Sequence, residues 1–186
     1  MTAGGQRSSK LIVSVVDGQG RAVRAPGLGR WLVAVAPARA KGEVTVAIAS
    51  DARVRALNRT YRGVDTATDV LSFPSGLQAP GSRLQGSSRV RPVARGPKPE
   101  AFLGDVVIAR GVARRQARAQ AHPESTEWRV LALHGLLHLL GYDHDADHGA
   151  MQRLEQRLRR RGGLDRGLIE RTPPAPRLRR RRGVGR

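Results

Sequence analysis

The chain of 186 residues contains no cysteine. That absence excludes disulfide frameworks, thiolate-ligated zinc, iron–sulfur clusters and thiol nucleophiles, and it leaves histidine and carboxylates as the side chains able to hold a metal ion. Aromatic residues are also scarce, two each of Trp, Tyr and Phe, mostly at apolar positions. A platform of stacked rings for gripping bases is therefore excluded. No window approaches the roughly 18 consecutive apolar residues of a membrane-spanning helix, and the polar stretch from Met1 to Lys10 has no apolar core of signal-peptide length. The expectation is a soluble, cytoplasmic protein with no membrane partner. Acid is in short supply as well: 15 Asp and Glu face 34 Lys and Arg, a formal net charge of +19.

Of those 34 basic residues only Lys10, Lys41 and Lys98 are lysines, and the other 31 are arginines, whose planar fork pairs bidentately with phosphate. Residues 171–186 carry seven Arg and no acid, yet the remainder still holds 27 basic against 15 acidic residues, a net +12. A polyanionic partner is expected for the body of the chain as well as for its tail. With 39% hydrophobic residues the chain has the means to bury a core. Residues 1–170 read as a single domain, and 171–186 read as a disordered Arg-rich tail without an apolar stripe. Residues 75–99, rich in Gly, Ser, Pro and Arg and lacking apolar periodicity, read as a flexible basic loop.

Four apolar runs read as strands. They are residues 11–16 (LIVSVV), stopped by Asp17-Gly18; 43–49 (EVTVAIA), which alternates; 70–73, closed by Pro74; and 102–109, containing LGDVVIA. Helical spacing appears after Pro26 in Leu28, Trp31, Leu32 and Val35, and after a cap at Ser50 or Asp51 in Val54, Leu57, Asn58 and Tyr61. A cationic helix follows through Gln116 to Ala121. The strongest helix is 124–140, with Trp128, Leu131, Leu133, Leu136, Leu137 and Leu140 ahead of a stop at Gly141, and a last one over about 147–161 carries Met151, Leu154 and Leu158. Strands interspersed with helices put the fold in the α/β (α+β) class, while their uneven order argues against a doubly wound parallel sheet and leaves strand order open. No internal repeat is present.

The chemistry is concentrated in HGLLHLLGYDH at residues 134–144. His134 and His138, at i and i+4 on the strongest helix, project about 40° apart and about 6 Å along one face, a separation one metal ion spans. Gly141 can take a positive φ just past the helix and let the chain reverse, bringing His144 back beneath the pair. Three neutral imidazoles with an open fourth position describe a catalytic zinc site, where bound water becomes acidic near neutral pH. An isolated HxxxH on a helix is more often a chance placement among leucines. Here three of the five histidines fall within eleven residues, with a glycine where the turn is needed, and that reverses the balance. His122 and His148 lie in polar stretches and read as solvated, with His148 a reserve ligand, and Asp143 reads equally as a turn former or as an acceptor for a ligand histidine. The spacing HxxxHxxGxxH gives a zincin-like histidine helix with the ligand skeleton of the metzincin proteases, whose general base is the Glu after the first His. Here that residue is Gly135, which cannot accept a proton, so a metalloprotease-like reading lacks its base.

Two blocks, HGLLHLLGYDH at 134–144 and LNRTYRGVDTATDVLSFP at 57–74, resemble the YbeY family of bacterial rRNA maturation factors, single-strand-acting metal-dependent endoribonucleases. LGDVVIA at 103–109 and the helix bearing Met151 and Leu154 extend the resemblance over most of residues 10–160. It implies that His134, His138 and His144 hold one zinc ion (Zn2+), that Arg62 is the functionally important arginine, and that a mixed sheet of about four strands is flanked by helices. It also implies a cytoplasmic role in maturing small-subunit rRNA and in ribosome quality control, with rRNA, the ribosomal small subunit and ribosomal or assembly proteins as partners. By composition alone Arg62 is one of 31 arginines, and only the motif singles it out. A fixed guanidinium beside a metal is suited to the charge that gathers on non-bridging oxygens during phosphoryl transfer. The chain departs from the family pattern in a longer 75–99 loop, a short acidic stretch after the third histidine (Asp145, Asp147) and the added Arg-rich tail. The competing readings are a non-catalytic ribosome-assembly factor with structural zinc, and the metalloprotease.

Overall fold

Successive residues of the central strands pack on opposite faces of the sheet, and that alternation sorts the helices into two layers. The computed structural model describes residues 10–75, 102–142 and 149–164. In chain order these form β1 (Leu11–Asp17), α1 (Leu28–Val35), β2 (Gly42–Ala49), α2 (Asp51–Arg62), β3 (Val70–Pro74), β4 (Phe102–Ala109), α3 (Arg110–Ala119), α4 (Glu124–Leu139) and α5 (Ala150–Arg161). The sheet order is β1-β2-β4-β3. β1 runs parallel to β2 and β2 to β4, while β3 lies antiparallel on β4, with Val70 opposite Ile108 and Phe73 opposite Asp105. The fold is α+β, a mixed four-stranded sheet flanked by helices, and the strand order left open by the sequence is thereby settled.

Val44, Val46 and Ile48 of β2 and Val106 and Ile108 of β4 face α1, α4 and α5, where they pack on Leu28, Leu32, Val35, Leu131, Leu136, Leu137 and Met151. The alternate residues Ala47, Ala49, Val107 and Ala109 face the other way, with Leu71, and meet Val54 of α2. Buried apolar surface contributes about 25 cal/mol per Å2, so the first face holds most of the stabilisation. α4 is buried on nearly every side because it lies between the sheet and the two other helices of that face.

Of the two candidate caps for α2, the structure assigns Ser50 to its own helix, its Oγ accepting from the Arg53 N–H at 3.3 Å. Asp51 serves α3 instead: Oδ1 accepts from the N–H groups of Gly111 and Val112, and Oδ2 from Arg115. This satisfies orphan donors at a helix start that follows a strand without a loop. α3 ends two residues before the expected Ala121, which takes a φ of 52° and turns the chain. No helix among the described residues is long and apolar enough to cross a membrane. The basic loop expected at 75–99, past Ser75, the stretch 143–148 and the domain boundary and tail expected beyond residue 170 lie outside the described residues.

Candidate metal centre

α4 touches the sheet at Gly135. A Cβ there would stand 2.5 Å from Cγ1 of Val106 and 3.1 Å from Oγ of Ser72. Only a hydrogen atom fits, which explains why the position after the first histidine is glycine. The Ser72 hydroxyl donates to the Gly135 carbonyl at 3.1 Å, so β3 and β4 together fix the turn of α4 that carries the flanking histidines.

His134 and His138 are half-buried, and their Nε2 atoms lie 3.2 Å apart with the rings edge to face at 75°. Two imidazole nitrogens bound to one tetrahedral zinc at about 2.0–2.1 Å each stand about 3.3 Å from one another, so the pair is spaced for a shared cation. Nδ1 of His134 lies 3.3 Å from Oε2 of Glu155 on α5. Glu155 is 6% exposed and its other oxygen accepts from Arg159, which is equally buried. Burial pushes the Glu155 carboxyl up, but the hydrogen bond from His134 and the charge of Arg159 outweigh it and hold the group below the usual carboxylate range. The carboxylate oxygen is thereby placed to accept a proton from Nδ1.

The third expected ligand, His144, and its neighbour Asp143 lie outside the described residues, and among the described residues no group of three His, Cys, Asp or Glu gathers for a metal ion. The turn that leads toward His144 does begin as the sequence predicts, with Gly141 at a φ of 81°. Arg39 holds it from outside: its guanidinium donates to the Leu140 carbonyl at 2.8 Å and lies 3.9 Å from the ring centre of Tyr142.

Arg62 is the last residue of α2, exposed, just before Gly63 ends the helix with a φ of 70°. α2 covers the sheet face opposite α4, so Arg62 and the histidine pair are linked only around the edge strand β3. The links are short. The ring of Tyr61 packs edge to face on Phe73 at 5.0 Å, and Ser72, next to Phe73, bonds α4. Asn58, Thr68 and Asp69 are architectural: Asn58 donates to the Thr66 carbonyl at 2.8 Å, and Asp69 accepts from Thr68, from the Val70 N–H and from Gln116. Asp65 accepts two hydrogen bonds from Arg55, which hold its carboxyl below the ordinary range.

Two residues were misjudged or missed in the sequence. His122, expected to be solvated, has a side chain only 9% exposed, and its Nε2 lies 3.1 Å from Oε2 of the buried Glu127. The first turn of α4 folds back over it, a tertiary contact that a polar local sequence does not announce. Glu155 was not singled out. Its signal was a lone acid among the five arginines of α5, on the stripe of Met151, Leu154 and Leu158.

The family model described as Endoribonuclease YbeY matches residues 30–162, which include Arg62, His134, His138, His144 and Glu155. The chain is 46% identical over 125 residues to the Endoribonuclease YbeY of Solibacter usitatus, covering 67% of this chain and 69% of that protein. It is 42% identical over 126 residues to the Endoribonuclease YbeY of Moorella thermoacetica, covering 66% and 75%. The fold is similar to the solution structure of TM1509 from Thermotoga maritima, with a TM-score of 0.51 at 21% identity, covering 89% of this chain and 100% of that one. The family model reaches from within α1 to just past the end of α5, and the chain therefore belongs to the YbeY endoribonuclease family.

Proposed function

We propose that this chain is a zinc-dependent, single-strand-specific endoribonuclease that acts in the cytoplasm on small-subunit rRNA, in its maturation and in ribosome quality control. In this reading His134, His138 and His144 hold one Zn2+ ion, and Arg62 meets the charge that develops at phosphorus. The observation that carries it is the convergence of two Nε2 atoms to 3.2 Å on a helix locked against the sheet. Bound there, zinc would supply Lewis acidity toward a phosphodiester and a water acidic enough to react near neutral pH. Nδ1 of His134 faces a carboxylate oxygen of Glu155, and a proton held between them would leave Nε2 unprotonated. Gly135 takes no proton, so the acceptor for the attacking oxygen's proton is not the residue a metzincin uses.

Arg62 has no acidic partner among the described residues and its guanidinium is open to a phosphate. An RNA strand lying across the β3 edge would meet Arg62 on one side and the histidines on the other, a geometry that suits a single strand. The net charge of +19 adds affinity that does not depend on sequence and falls with salt. Metal analysis combined with an RNA cleavage assay on wild type, His138→Ala and Arg62→Ala tests the reading. His138→Ala should lose both zinc and cleavage. Arg62→Ala should keep zinc and cut about 10²–10³-fold more slowly. Full cleavage by metal-free His138→Ala, or a zinc-replete wild type that binds rRNA and never cuts it, overturns the proposal.

A further inference from the structure

We infer that Glu155, held by Arg159, is the positioning residue for His134: it fixes the imidazole in the tautomer whose Nε2 is unprotonated and able to face a cation. The inference rests on the metal-site reading above and assigns a role to α5 within it. Glu155 is the only acid in α5 and occupies a position on its apolar stripe, where a leucine would pack. Burying a carboxylate and a guanidinium together seldom adds net stability over apolar residues of similar size, so the pair is not explained by holding the fold together. The geometry explains it better. One oxygen of Glu155 takes Arg159 and the other faces Nδ1 of His134 at 3.3 Å, while Nε2 of the same ring points at Nε2 of His138.

Those last two nitrogens are 3.2 Å apart, close enough for a hydrogen bond between them. If the His134 proton sat on Nε2, that N–H would donate to the Nε2 lone pair of His138 and the pair would close on itself, leaving no lone-pair direction shared by a cation. Placing the proton on Nδ1, with Glu155 as its acceptor, prevents that closure. Arg159 in turn occupies the other oxygen and fixes which one is left for the histidine. Carboxylate partners of this kind typically change metal affinity by about 10–100-fold.

The test separates orientation from folding. In the double variant Glu155→Leu/Arg159→Met the buried pair is replaced by apolar side chains, so thermal stability should stay at the wild-type level or rise. Two other readouts should move. In zinc-free protein with neutral imidazoles, nitrogen-15 NMR should show His134 shifting from the Nδ1–H form to the Nε2–H form, and zinc titration should show affinity reduced by about 10–100-fold. A wild-type tautomer together with wild-type zinc affinity in that variant overturns the inference. Should the double variant fail to fold, Glu155→Met, which keeps the length and removes the acceptor, takes its place: weaker zinc binding is expected, and unchanged binding with an unchanged His134 tautomer overturns it. A wild-type protein that binds no zinc but whose His134 tautomer still follows Glu155 would sink the metal reading and leave the positioning role standing.

Discussion

On one face of the sheet Val44, Val46, Ile48, Val106 and Ile108 meet three helices and a core of fully buried leucines. On the other, Ala47, Ala49, Leu71, Val107 and Ala109 meet α2 through Val54. The contrast shows how this fold separates precision from access. Under the proposed function the ligating nitrogens must be held to fractions of an ångström, and His134, His138 and Glu155 stand on the closely packed side of the sheet. A guanidinium that meets a polymer needs solvent, and Arg62 stands at the end of the helix on the thinner face. β3 is shared by both, touching α4 through Ser72 and α2 through Phe73.

The sharpest way to break this contrast is to empty each face in turn. Leu136→Ala, at a position with 0% exposure, should cost about 2–5 kcal/mol through lost burial and the cavity left in a core that cannot collapse around it. Val54→Ala on the other face removes two buried carbons at about 0.8 kcal/mol each and should cost less. Urea denaturation of the two variants checks the difference, and equal losses would mean that the faces do not differ in the way their packing suggests.

A smaller perturbation acts at the contact between α4 and the sheet. Gly135→Ala drives a methyl into Val106, whose branched side chain is stiff at χ1 and cannot swing aside. Overpacking of this kind costs about 1–3 kcal/mol. Because the displaced backbone carries His134 and leads to His138, zinc affinity should fall by more than the stability loss explains. Zinc titration alongside denaturation measures both, and wild-type zinc binding in a destabilised Gly135→Ala protein would show that the histidines do not depend on this contact.

Much of this was legible in the chain, for reasons that are local. Strands β1 to β4 announce themselves as short branched runs, β1 ended by Asp17-Gly18 and β3 by Pro74, and α4 by a dense apolar surface stopped by Gly141. The pairing of His134 with His138 follows from helix geometry alone. Strand order was not legible, since whether β3 inserts antiparallel beside β4 depends on contacts distant in sequence. Glu155 was hidden for the same reason: it reaches His134 from another helix, 21 residues away. The burial of His122 by Glu127 was misread because a polar neighbourhood in sequence became an interior one in space.

Two carboxylates bring the comparison down to single groups. Glu155, on the thick face, is deeply buried and yet its carboxyl is held low; Asp105, on the thin face in register with Thr45 and Phe73, is half-buried and its carboxyl is pushed up from 3.8, because burial outweighs the single hydrogen bond from Thr45. Partners, not depth, set the direction. The two signs lead to opposite pH behaviour. An acid whose folded value is raised penalises the native state once pH passes through that value, and the penalty vanishes below 3.8. An acid whose folded value is lowered stabilises the native state above its unfolded value of 4.5 and loses that contribution as pH falls through the folded one. Asp105→Asn, in which an amide oxygen still accepts from Thr45, should therefore be slightly more stable than wild type at neutral pH and lose its advantage in acid. Glu155→Gln should be less stable at neutral pH and converge on wild type in acid. Denaturant midpoints at about pH 7 and about pH 3 decide it. A destabilised Asp105→Asn protein at neutral pH would mean that the thin face holds a favourable partner for that charge, and the division between the faces would have to be redrawn.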